Sequence, residues 1–240
     1  MLRSRIHSIG EVRHKGVVDL VTDVDIASER QVSAAILSAF PTHSILGEEG
    51  GARGGSDPRY RWIVDPLDGT TNYAHGLPLF CVSIGLEVEG QLALGVVYAP
   101  SQDELFVAEA GKGATLNGRP MQVSGVDDLR QAIVATGFPY DRAELPRALR
   151  SFEALSWRAQ AVRRIGSAAL DLCYVACGRF DAYWEHVVMP WDLAAGALLV
   201  AEAGGSVSGT DGSPFSVEGG QVLVTNTRLA PAMLEALAGL

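Results

Sequence analysis

Between residues 26 and 40 the apolar side chains Ile26, Val32, Ile36 and Phe40 recur close to a helical period, and Pro41 ends the run. The pattern predicts an amphipathic helix over 26–40, after an irregular lead-in. Trp62, Ile63 and Val64 then read as a buried strand, and "CVSIGLEVEGQLALGVVYAP" reads as an antiparallel hairpin turning at Glu89-Gly90. A short strand over Glu104 to Ala108 joins it, and "GKGATLNGRP" carries another hairpin with Asn117-Gly118 at its tip.

The rhythm changes in the second half. "AIVATGF" (132–138) is strand-like, 143–157 is helical, and "SAALDLCYVACG" opens a helix at Ser167 and stops it at Gly178. "RFDAYWE" predicts a strand, "WDLAAGALLVAEAGG" a second buried helix, then "SVSG", "QVLVTN" and a terminal helix from about Leu229. Strands and helices alternate without a strict βαβ period, which predicts layered sheets and helices rather than a barrel. The prediction is one compact α/β (α+β) unit over 1–240, with a hairpin-rich subdomain (1–128) and an alternating one (129–240).

Composition narrows the functional classes. With 19 basic against 28 acidic residues the net charge is -9, which argues against a broad nucleic-acid surface and leaves anion handling to metal ions or a focused site. Cys81, Cys173 and Cys177 are odd in number and lie in apolar patterns, so they read as core thiols rather than a zinc site or disulfides. No apolar run approaches the ~18 residues of a membrane span, and "MLRSRIHSIG" lacks a signal-peptide core; a reducing, cytoplasmic setting is the expectation.

Carboxylates beside Gly, Thr and apolar strand ends recur in separate places: Glu48 and Glu49 in "GEEG", Asp65 and Asp68 in "DPLDGTT", and Asp192 in "PWDLAAG". A fourth segment, "DLVTDVDIASE", adds Asp19, Asp23 and Asp25. Converging carboxylates must protonate, pair with bases or bind cations, and hard oxygen ligands of this kind suit Mg²⁺. Taken singly, each has a plainer reading: Asp65 and Asp68 as turn residues around Pro66 and Gly69, Asp25 and Asp192 as helix caps.

Together, "DLVTDVD", "GEEG", "WIVDPLDGTTNYAHGLPLFCVSIG", "RIGSAALDLCYVACGRFDAYWE" and "PWDLAAGALLVAEAGG" resemble, in order and nearly end to end, the inositol monophosphatase family of Mg²⁺-dependent phosphomonoesterases. The resemblance implies a layered αβαβα sandwich of the inositol monophosphatase / fructose-1,6-bisphosphatase type, a homodimer, Li⁺ sensitivity, and two or three Mg²⁺ ions with Mn²⁺ as a substitute. It assigns Glu48, Asp65, the Leu67 carbonyl, Asp68 and Asp192 to metal, and makes Asp25, Thr70 and Glu48 catalytic, with Asp25 taking the proton of a water activated through Thr70. Substrate contacts fall to Asp68, Gly69, Thr70, Thr71, Gly166, Ser167, Ala168, Glu185 and Asp192. For Gly166–Ala168, helix capping by Ser167 is the simpler reading, and an isolated Glu185 would be a rim charge. Lys15 matches loosely a family loop closing over a third metal, and Arg163 and Arg164 read foremost as solvated.

One short turn's worth of chain precedes "RHKGVVDLVTD", where family members usually begin with a full helix. The expected substrate is myo-inositol monophosphate. Fructose 1,6-bisphosphate, histidinol phosphate and a nucleotide 3'-phosphate are alternatives within the fold, and a regulatory binding protein is the alternative of another class.

Overall fold

The computed structural model describes residues 1–6, 12–14 and 20–240, with 12–14 as backbone. Lys15 and Asp19 lie outside the described residues. The helices are α1 (Leu2–Arg5), α2 (Asp23–Ala39), α3 (Thr70–Ala74), α4 (Leu145–Ser156), α5 (Ala168–Ala176), α6 (Pro190–Glu202) and α7 (Ala230–Leu237). An eight-stranded sheet runs, in spatial order, from Arg119–Pro120 through Ala114–Leu116, Glu104–Glu109, Gln91–Ala99, Cys81–Val88, Tyr60–Asp68 and Ser44–Gly47 to Gly51–Arg53. Its pairings are antiparallel except that of Ser44–Gly47 with Tyr60–Asp68. A five-stranded mixed sheet has the order Ala161–Arg163, Ile133–Thr136, Ala182–Glu185, Val222–Thr225, Ser206–Ser208.

The two-residue alternation of strand side chains builds the layers. In the smaller sheet, Ala135, Tyr183, Val222 and Val224 join the core that contains α5 and α6, while Val134, Trp184 and Leu223 pack with Leu155 of α4 and Met233 of α7. In the larger sheet, Ile63 packs on Ala194 of α6, and Trp62 and Val64 pack with Ile36 of α2. The result is an αβαβα sandwich, with α5 and α6 between the sheets. Strand Tyr60–Asp68 is covered on both faces, which explains its unbroken apolar run. Ile63, Val64 and Leu67 are fully buried, each contributing roughly 1.5–3 kcal/mol.

Helix α6 sits unusually close to the large sheet. A Cβ at Gly95 would lie 2.6 Å from the Ala195 carbonyl oxygen, so only glycine fits there. That close seat carries Asp192, in the first turn of α6, toward the end of Tyr60–Asp68.

Several elements differ from the pattern-based expectation. Helix α2 begins at Asp23 rather than 26, because the Thr22 side chain accepts from Val24 N–H while Asp25 reaches back to Thr22 N–H at 2.9 Å. The supposed lead-in is therefore a capped first turn. Strands Ser44–Gly47, Gly51–Arg53 and Ala161–Arg163 are too short, or too rich in glycine and charge, to show a period. Cys81 and Cys173 are buried and Cys177 is half-buried, all as free thiols.

Candidate active site

The site begins with an irregularity in strand Tyr60–Asp68. The motif was expected to turn the chain after Val64; instead the strand continues to Asp68, with Asp65 opposite Ser83, Asp68 opposite Cys81, and a register shift between them. This bulge accommodates Pro66, which has no N–H to donate to the ladder. Ser28 of α2 donates to the Pro66 carbonyl at 2.8 Å, and Leu67 N–H donates to Asp65 Oδ1 at 2.9 Å. Two carboxylates that strict pleating would separate are thus held at one strand end.

Asp65, Asp68 and Asp192 each offer an oxygen within 4.8 Å of the others. Each has one oxygen held by the protein. Asp65 Oδ1 accepts from Leu67 N–H, and Asp192 Oδ2 accepts from Met189 N–H at 3.0 Å. Asp68 Oδ2 accepts from the Ser167 hydroxyl at 2.6 Å, Ala169 N–H at 2.7 Å and the Cys81 thiol at 3.8 Å. Ser167 was expected to cap α5; its hydroxyl makes no capping bond and serves Asp68 instead, while Asp68 itself receives the α5 amide.

Glu48 follows strand Ser44–Gly47, whose parallel pairing sets Gly47 beside Val64; Glu48 N–H donates to the Val64 carbonyl at 3.2 Å. Glu48 lines the same cavity, and its charge acts on both Asp65 and Asp192.

Burial and mutual repulsion push Asp65 and Asp192 well above the ordinary carboxylate range, and burial raises Asp68 despite its donors. Among the described residues, none of the three makes a salt bridge. An all-oxygen set with excess negative charge, one oxygen of each anchored and the other left out of those bonds, fits a hard divalent cation.

Gly69 follows, with φ of 91° and a Cβ position only 2.8 Å from the Leu79 carbonyl, so glycine alone is unstrained there. The first ladder bond of α3 runs from Tyr73 N–H to the Gly69 carbonyl at 2.9 Å, which leaves the Thr70 and Thr71 amides ahead of the helical ladder. Gly69 and Thr70 line the cavity; Thr71, half-buried, is not part of its wall. Thr70 Oγ1 is 3.0 Å from Asp25 Oδ1 and 3.0 Å from the Leu67 carbonyl. Asp25 is buried behind the cavity wall and meets it through Thr70. By contrast Asp23 lies at the surface, 3.7 Å from Arg5.

Asn72, which no sequence signal singled out, ties this segment to the approach of α5. Its Nδ2 donates to the Leu79 and Ile165 carbonyls at 2.7 and 2.8 Å. The far wall of the cavity, about 420 Å³ in volume, includes Gly166, Ser167, Ala168, Glu185 and, again unforeseen, Asp171 and Tyr183. Glu185 is buried rather than a rim charge; burial raises its carboxyl to about 7, against the Tyr183 hydroxyl, which donates to Oε2. Arg163 and Arg164 are both exposed, as anticipated, yet Arg164 also lines the cavity.

Comparison with known proteins agrees with this geometry. The model of the "Inositol monophosphatase family" matches residues 1–239. The Nus factor SuhB of Pseudomonas aeruginosa is 47% identical over 93% of this chain and 84% of its own length. The inositol-1-monophosphatase of Synechocystis is 46% identical over 96% of the chain and 81% of its own. The crystal structure of the extragenic suppressor protein suhB from Bartonella henselae superposes with a TM-score of 0.94 at 38% identity, covering 98% and 91% of the two chains. Sequence, sandwich and acidic cleft thus coincide, and the chain belongs to the inositol monophosphatase family of phosphatases.

Proposed function

We propose that this phosphatase hydrolyses a small polyol monophosphate, with myo-inositol monophosphate as its substrate, in a Mg²⁺-dependent reaction. The observation that carries the reading is the cluster of buried Asp65 and Asp68 with half-buried Asp192 facing, across one cavity, a wall whose buried polar groups include Glu185 and Asp171. Glu48, Asp65, the Leu67 carbonyl, Asp68 and Asp192 would hold two or three ions, Mn²⁺ being a chemically similar substitute. Bound there, the metal supplies a lowered pKa for the attacking water and charge neutralisation for the phosphoryl oxygens.

The remaining work falls to the chain. The amides of Gly69 and Thr70, both on the cavity wall, hold phosphate oxygens, and Thr71, behind that wall, supports the turn that presents them. Thr70 takes the proton of the attacking water on Oγ1 while giving its own to Asp25 Oδ1; water oxygen bonds to phosphorus, the ester bond breaks on the opposite side, the leaving alkoxide takes a proton from solvent water, and Asp25 returns its proton to solvent to close the cycle. Asp68, Asp192, Glu185 and the Gly166–Ala168 segment orient the alcohol. Carboxylates on that side accept from hydroxyls and repel a second phosphate, which favours a polyol over a bisphosphate.

No helix among the described residues is long and apolar enough to cross a membrane. A homodimer working in the cytoplasm completes the reading. The test is kcat/KM over a panel of inositol, fructose, histidinol and nucleotide monoesters and bisphosphates: preference for the inositol ester supports it, preference for a bisphosphate defeats it. The Pseudomonas relative's designation as a Nus factor favours a second role in transcription. That role requires binding to a transcription complex that survives Asp65→Asn, and its loss in that variant counts against it.

A further inference from the structure

Helix α5 is apolar nearly all round and lies between the two sheets, yet its first turn contains Asp171. The residue is only 1% exposed, flanked by the fully buried Leu170 and Leu172. A helix N-terminus favours a carboxylate, but a buried one ordinarily collects hydrogen bonds as well. Asp171 Oδ1 is buried with no hydrogen-bond partner among the described residues. Burial and the charges of Glu185 and Asp68 hold its carboxyl well above the ordinary range, with Arg164 opposing weakly.

The side chain lines the catalytic cavity on the wall that also carries Glu185. Hydroxyls near Asp171 are committed elsewhere, that of Ser167 to Asp68. The Tyr183 hydroxyl is already spent on Glu185 Oε2, and Arg164 is at the exposed rim. Gly137 lets the Glu185 carboxyl pack directly against the backbone, since a Cβ there would come within 2.2 Å of Glu185 Oε2. Two buried acceptors therefore line a volume into which a ligand can bring matching donors. Hydroxyls of a neutral polyol supply them, whereas an aryl leaving group has none.

Resting on the polyol reading above, we propose that Asp171 is a specificity-determining residue whose carboxyl Oδ1 accepts a hydrogen bond from a hydroxyl of the leaving alcohol. The corollary is a cost in stability: a buried carboxyl oxygen left without a partner destabilises the free protein and is retained for selection of substrate.

The test compares wild type, Asp171→Asn and Asp171→Ala on myo-inositol 1-phosphate and on p-nitrophenyl phosphate, and measures Tm without ligand. Asp171→Asn keeps the side-chain shape and carries the test if Asp171→Ala does not fold. Expected is a fall in kcat/KM of about 10 to 100-fold on the inositol ester, with the aryl ester within about 3-fold of wild type. Tm of Asp171→Asn equals or exceeds that of wild type. Parallel loss on both esters, or a lowered Tm, overturns the proposal by making Asp171 structural. A wild type that prefers the inositol ester, with the preference intact in both variants, overturns the Asp171 role alone; a wild type with no preference overturns the polyol reading with it.

Discussion

Thr70 Oγ1 stands 3.0 Å from Asp25 Oδ1, and at the same 3.0 Å from the Leu67 carbonyl. A hydroxyl has one proton, so it can donate to only one of these acceptors at a time. The other oxygen of Asp25 is engaged by Thr22 through both its N–H and its hydroxyl, which fixes Oδ1 toward Thr70. A cation on the Leu67 carbonyl would direct the Thr70 proton to Asp25, coupling metal binding to the proton path.

From this arrangement, Thr70→Val and Asp25→Asn should each lower kcat by about 100-fold or more, with KM changing far less, while Thr70→Ser keeps most of the activity. Steady-state kinetics at saturating Mg²⁺ measures it. A loss expressed mainly in KM would place Thr70 in binding rather than proton transfer.

The acidic cluster sets a pH dependence of stability with a definite sign. Asp65, Asp68 and Asp192 have folded-state pKa values raised above the unfolded value of about 3.9, so the folded state binds more protons and metal-free stability falls as pH rises through the raised values. Mg²⁺ replaces those protons and should flatten the slope. Thermal melts across pH, with chelator and with Mg²⁺, check this, and metal-free Asp65→Asn should melt higher than wild type at pH 8. A metal-free wild type that gains stability on going from pH 5 to 8 relative to Asp65→Asn contradicts it.

His186 contributes with the opposite sign. Burial lowers its pKa to about 4, and Nε2 is buried without a hydrogen-bond partner among the described residues, so the ring is kept neutral. Stability from this group is present above the unfolded value of about 6.5 and is lost as pH falls toward 4. His186→Gln should remove that acid sensitivity, as measured by the difference in Tm between pH 7 and pH 5; an unchanged difference removes His186 from the account.

Glu29 supports the ligand loop from below. Its carboxylate accepts from Glu49 N–H at 2.8 Å and occupies the space a Cβ would need at Gly47, where the approach would be 2.6 Å. It thus fixes the turn that presents Glu48. Glu29→Ala should raise the Mg²⁺ concentration for half-maximal activity by about 10-fold and leave kcat at saturating Mg²⁺ nearly intact. Mg²⁺ titration of phosphate release measures both quantities. An unaltered titration midpoint argues against the support.

What was legible in the chain depended on the range of the signal. Glu89-Gly90 and Asn117-Gly118 specify their hairpins locally, and all four residues take the positive φ such turns need. The acidic residues were legible through the motif that contains them. The bulge at Pro66 was not, because a turn and a bulge use the same residues and only pairing with Ser83 and Cys81 distinguishes them. Ser167 looked like a cap because its helix start was visible in sequence, while Asp68, its actual partner, lies 99 positions away. Asp171 was hidden inside an apolar helix whose neighbours are set by tertiary packing.

Metal-dependent phosphoryl transfer at the Asp65, Asp68 and Asp192 cluster is read out by phosphate release from myo-inositol 1-phosphate. Wild type and Asp65→Asn are compared with Mg²⁺ and with chelator. Wild type should turn over with Mg²⁺ only, and Asp65→Asn should lose at least about 100-fold. Release that persists in chelator, or an Asp65→Asn variant as active as wild type, would contradict metal-dependent transfer at this cluster.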